Sequence, residues 1–150
     1  MDKRQLAQLT DLAQNGTDAA TRGLGRSHVL AREADAKLAL LETYRTDYQA
    51  RLTAAARTGL CPDVLRNYHD FLGKLDAAIK QQCAVVASCQ ARVEATRQEW
   101  QNANRKLKSF STLADRTRQR EVLQGARRDQ REQDESALRR SGNPLAYPFT

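Results

Sequence analysis

The sequence predicts an all-α protein: a long two-helix antiparallel coiled-coil hairpin whose second helix is longer than the first. Three observations predict it. One apolar seam runs from Leu65 to Ala114, a weaker one runs from Leu6 to Ala55, and a single strong turn signal lies between them. The composition agrees. Of 150 residues, 29% are charged and only 5% aromatic, and the mean hydropathy is −0.73. A chain this polar cannot wrap a broad core, but a coiled coil needs only about two apolar positions in seven.

The first helix is expected over about residues 3–57. Its seam steps alternately by three and four through Leu6, Ala13, Ala20, Leu24, Ala31, Ala34, Leu38, Leu41, Tyr48 and Leu52. Thr10, Thr17, Ser27 and Arg45 interrupt it. The first half of this seam is small, and Gly16, Gly23 and Gly25 lie close by. Glycine inside a helix costs about 1 kcal/mol against alanine, so either this stretch is weak or something packs closely on it.

The turn is expected at 58–62. In Thr58-Gly59-Leu60-Cys61-Pro62-Asp63, Gly59 suits the left-handed position that ends a helix, and Pro62 suits the first turn of the next. Asp63 places negative charge at the positive end of the second helix dipole.

The second helix is expected over about 63–138. Its seam reads Leu65, Tyr68, Leu72, Leu75, Ile79, Gln82, Val86, Cys89, Val93, Thr96, Trp100, Ala103, Leu107, Phe110 and Ala114. Only Gln82 and Thr96 are polar in a run of about seven heptads, more than the three or four that argue a coiled coil. Folding at the turn pairs Leu52 with Tyr68, Leu41 with Ile79 and Leu38 with Gln82. It also sets Trp100 against Thr17 and Ala20. The largest side chain then meets the smallest stretch, as close packing at constant separation requires. The pairing ends where Leu6 meets Ala114, leaving 115–140 without a partner in the chain. That stretch can continue the helix, but an unpacked helix is marginal. Residues 141–150, with Gly142, Pro144 and Pro148, are expected to form a flexible C-terminal tail.

Two flanks border the seam. One is polar, with His28, Asp35, Glu42, His69, Asp76 and Cys83. The other carries Leu30, Lys37, Tyr44 and Arg51 from the first helix, with Phe71, Ala78, Val85 and Arg92 from the second. Charged residues usually hold such positions. Tyr44 and Phe71, near Tyr48 and Leu75, therefore form either a widened core or a partner site.

Other classes of chemistry find little support. Net charge is +7, but acidic residues alternate with basic ones, as on a solvated helix. Nucleic-acid binding as a basic helical hairpin is thus a weak alternative. The N-terminus has no apolar signal region, and the longest apolar runs, LALL at 38–41 and AVVA at 84–87, are far short of a membrane span of ~20 residues. Cys61, Cys83 and Cys89 form no metal-binding spacing and suit reduced cytosolic thiols. Neither His28 nor His69 has a catalytic neighbour, and no phosphate loop or nucleophile motif occurs. No enzyme activity, metal or cofactor is expected.

LLETYRTDYQARL (40–52), followed across the turn by NYHDFLGKLDAAIKQQ (67–82), resembles the FliJ family of flagellar type III export proteins. The likeness extends more weakly over DLAQNGTDAATRGLG and SFSTLADRTRQREVL. It implies a soluble, non-enzymatic stalk, similar in fold to the γ subunit of rotary ATPases, peripheral at the cytoplasmic face of the inner membrane. The resemblance further implies that such a stalk engages the hexameric export ATPase FliI and promotes its assembly. It couples the ATPase to the export gate protein FlhA, with FliH and empty export chaperones as further partners. The family's gate-binding face falls on Leu41, Tyr44, Tyr48, Phe71, Leu75 and Ala78, while Lys37 and Gln82 beside it depart from the family pattern. The ATPase-facing end then corresponds to Arg116, Arg118, Arg120, Arg127 and Arg128. A stalk of the related virulence injectisome is the alternative within the same fold.

Overall fold

The structure is a computed structural model and describes residues 2–142. It contains two α-helices, α1 (Lys3–Thr58) and α2 (Pro62–Ser141), of 56 and 80 residues. They form a helical hairpin with the second arm longer than the first. α2 runs past the expected end near 138. Of the expected tail, Ser141 is helical, and 143–150 lie outside the described residues.

The turn follows from its residues. Gly59 has φ 89°, the only positive φ among the described residues, and its N–H donates to the Ala56 carbonyl at 3.4 Å. Thr58 Oγ1 donates to the Ala55 carbonyl at 2.9 Å and so satisfies a second carbonyl at the end of α1. Cys61 stands at the start of α2, its carbonyl accepting from the Leu65 N–H at 3.1 Å. Pro62 takes the first helical position, where its missing N–H costs nothing.

The chain divides into two compact units, Asn15–Asn104 and Met1–Gln14 with Arg105–Thr150. In the first, Leu52, Leu72 and Leu75 form a buried cluster, with Leu41, Tyr48, Leu60 and Tyr68 packed against it. Farther from the turn the seam becomes polar and pairs by hydrogen bonds. Gln82, only 6% exposed, donates from Nε2 to the Ala34 carbonyl at 3.0 Å. The Ser27 and Thr96 hydroxyls lie 2.7 Å apart, and each also reaches a carbonyl of its own helix. Trp100 Nε1 donates to Thr21 Oγ1 at 3.0 Å, and that hydroxyl donates to the Thr17 carbonyl at 2.9 Å. Arg45 turns out of its seam position and pairs with Asp76 on the polar flank. Every buried residue among those described lies on one of the two seams.

The glycines of α1 do not serve close approach. A Cβ at Gly16 or Gly25 would meet nothing within 4 Å, and one at Gly23 would meet only Arg26 Nη2 at 3.9 Å. They sit beside or away from the seam rather than on it, and the contact Trp100 makes with α1 is its hydrogen bond to Thr21.

In the second unit, Leu6 and Ala13 are buried. Lys3, Leu6 and Ala7 border a small cavity of about 200 Å3 with Ala114, Thr117 and Arg118. Pairing between the arms extends beyond the expected Leu6–Ala114 layer, because Lys3 Nζ reaches Glu121 Oε2 at 3.0 Å. The length of the lysine stem carries the contact almost two turns further. From Arg118 to Gly142 every described residue is exposed, although α2 stays helical to Ser141.

Candidate partner-binding site

The aromatic flank is built by the core beneath it. Leu75 is 8% exposed and belongs to the buried Leu52–Leu72 cluster, so it supports the flank rather than forming its surface. Leu41, Tyr48 and Ala78 are half-buried. Tyr44 and Phe71 are 52% and 43% exposed, and they carry the accessible apolar area. Tyr44 and Tyr48 lie four residues apart on α1 and therefore share a helix face.

The structure joins the two helices here through rings. Tyr48 sits 4.4 Å from Phe71 between centroids, with the planes at 48°. It also lies 5.0 Å from Tyr68, with the planes at 44°. Both tilted geometries suit the ring quadrupoles. Tyr48 thus braces Phe71 from below and holds it at the surface. Spacing alone makes Tyr68 a seam residue, and its place beneath the flank is added by the fold. Its position three residues before Phe71 is the available signal.

The opposite flank is ionic. Asp76 raises the pKa of Arg45 through a hydrogen bond and its charge, so the pair is a charge-assisted contact between groups that are both ionised near neutral pH. Among the described residues no His, Cys, Asp or Glu group is arranged to hold a metal ion. Cys61 and Cys83 are exposed, and Cys89 is half-buried on the seam.

Arg116, Arg118, Arg120, Arg127 and Arg128 are all exposed on α2. Arg118 pairs with Asp115 at 3.4 Å, within the helix. Val122 and Leu123 stand exposed beside Arg118 and Gln119, an apolar spot on a helix that nothing covers. No described helix is long and apolar enough to cross a membrane.

Comparison with known proteins agrees over nearly the full chain. A family model described as "Flagellar FliJ protein" matches residues 2–145. A flagellar FliJ protein of Salmonella typhi is 29% identical over 134 residues, covering 89% of this chain and 91% of that protein. A flagellar FliJ protein of Escherichia coli (strain K12) is 28% identical over the same length and shares. Among solved structures, a Chlamydia trachomatis protein described as a YscO homolog, CT670, matches with a TM-score of 0.74 at 15% identity. That match covers 93% of this chain and 88% of the other, and it is a likeness of fold.

Proposed function

Because the chain belongs to the FliJ family of flagellar proteins, we propose that it acts as a non-catalytic stalk of the type III export apparatus, working through two docking surfaces. The first is the aromatic flank, which binds the export gate protein FlhA. Leu41, Tyr44, Tyr48, Phe71, Leu75 and Ala78 make it, with Tyr44 and Phe71 as the anchors a partner would bury. The second is the uncovered end of α2, which engages the export ATPase FliI through Arg116, Arg118, Arg120, Arg127 and Arg128. FliH and empty export chaperones belong to the same set of partners. The protein works in the cytoplasm, reaching the membrane only through the apparatus.

The observation that carries the reading is the ring stack. Tyr48 packs on the core and against both Tyr68 and Phe71, while Phe71 stays 43% exposed, which leaves an aromatic ring on a braced support available to a partner. The test is direct. Tyr44→Ala with Phe71→Ala should weaken binding to the isolated gate domain by tenfold or more while circular dichroism stays unchanged. Unaltered affinity in the folded double variant would remove the flank from the proposal. For the ATPase, a chain ending after Leu123 keeps the Lys3–Glu121 pair and the packing of Leu6. Stimulation of ATP hydrolysis by the full chain should fall on that truncation, and further when Arg116→Glu, Arg118→Glu and Arg120→Glu are added to it; equal stimulation by all three chains would refute the role of the α2 end.

A further inference from the structure

The outward face of α1 carries an apolar depression that neither the hairpin core nor the two proposed surfaces uses. Gly25, Val29 and Leu30 lie there, with Val29 44% and Leu30 50% exposed. Together with Arg22, Arg26, Arg32 and Glu33 they border a shallow depression, open to solvent, on this one helix. Gly25 keeps its floor open, since a Cβ there would meet nothing within 4 Å.

The rim carries three arginines against one carboxylate, Glu33, and the arginines are unpaired. No carboxylate lies within ion-pair distance of Arg22, Arg26 or Arg32 among the described residues. Arg22 and Arg26 set like charges four residues apart, and the carboxylates at matching spacing, Asp18 and Asp35, stand one turn beyond Arg22 and Arg32. Like charges there cost stability unless something acidic comes between them. The apolar floor and the free guanidinium groups ask for one ligand with both characters.

We propose that this face of α1 docks an acidic amphipathic helix of a partner protein. Carboxylates of that helix meet Arg22, Arg26 and Arg32, and its apolar side chains cover Val29 and Leu30 and enter over Gly25. The face runs from Arg22 to Glu33, about 16 Å or three turns of α1, the length over which a helix presents apolar anchors at i, i+3, i+4 and i+7. A single-stranded nucleic acid fits less well, because no aromatic side chain among the lining residues offers a stacking platform.

The test uses the full chain and a synthetic peptide of about 14 residues, four helical turns, with Leu at i, i+3, i+4 and i+7 and Glu elsewhere. Fluorescence anisotropy should show saturable binding, and a scrambled peptide of the same composition should bind at least about tenfold more weakly. Arg22→Glu with Arg26→Glu should cost about tenfold in affinity, and Val29→Ser with Leu30→Ser should cost at least fivefold, with helicity unchanged by circular dichroism. Arg105→Glu with Lys106→Glu should leave the affinity as it was. No saturable binding, equal binding of the scrambled peptide, or equal loss in the Arg105/Lys106 variant would overturn the proposal. So would co-sedimentation with phosphatidylserine vesicles that depends on Arg22 and Arg26 while the peptide fails to bind, which would assign the face to a membrane.

Discussion

Gln82 is the side chain on which packing and specificity separate most cleanly. It is buried on the seam, and its amide donates to the Ala34 carbonyl at 3.0 Å. Gln82→Ala removes that bond, about 1 kcal/mol net, and one buried methylene at ~0.8 kcal/mol, and it leaves a cavity where the amide stood. The loss comes to about 2–3 kcal/mol. Gln82→Leu loses the same bond but restores apolar burial worth about 1–1.5 kcal/mol, so its net effect is close to zero. The Ala34 carbonyl tolerates the loss because it lies inside α1 and a carbonyl left with one partner is not orphaned. Urea unfolding followed by circular dichroism should therefore rank wild type and Gln82→Leu together, with Gln82→Ala clearly below. Gln82→Leu should also fix the stagger of the helices less well, as loss of a polar seam residue does in other coiled coils. A Gln82→Leu protein as unstable as Gln82→Ala would refute the reasoning, because the hydrogen bond, rather than the filling of the seam, would then supply most of the stability.

Neighbouring parts of the fold can be tested in the same way. Trp100→Phe keeps one six-membered ring but loses the pyrrole ring and its bond to Thr21, and should cost about 1–2 kcal/mol; combined with Thr21→Val, the losses should fall short of additive in a double-mutant cycle. Gly16→Ala should stabilise by about 0.5–1 kcal/mol, because the added methyl meets nothing within 4 Å and the helix gains propensity. Gly59→Ala should do the reverse and cost about 1–2 kcal/mol, since Gly59 holds φ 89°; both variants are read by thermal unfolding. Lys3→Ala should change stability by less than ~0.5 kcal/mol, because the pair with Glu121 is well exposed, and that small change should shrink further in high salt.

Much of this architecture is written in residue spacing. The repeat from Leu65 to Ala114 names the face of α2 that is buried, and all its members except Leu65 are at least half-buried. Leu65 escapes because it lies in the first turn of α2, beside a loop rather than opposite a full helix. Gly59 and Pro62 mark the reversal through their backbone preferences alone. The aromatic flank is visible as well, since Tyr44 and Phe71 break the usual charged pattern of flanking positions. Its depth is not. Leu75 and Phe71 look equivalent as apolar letters, but one is core and the other surface.

Periodicity is local: it follows from about 3.6 residues per turn in each helix and needs no knowledge of the partner. It can therefore name the two helices, the turn and the buried stripes. Which polar seam residue stays in and which turns out depends on the rotation and stagger of the opposite helix. Gln82 remains buried because an acceptor 48 residues away in sequence meets its amide, whereas Arg45 leaves the seam because Asp76 offers a carboxylate within reach on the flank. The point where pairing stops is set in the same way, by a lysine stem that spans to Glu121. Those outcomes belong to pairs of residues brought together by folding, and no pattern within a single helix contains them.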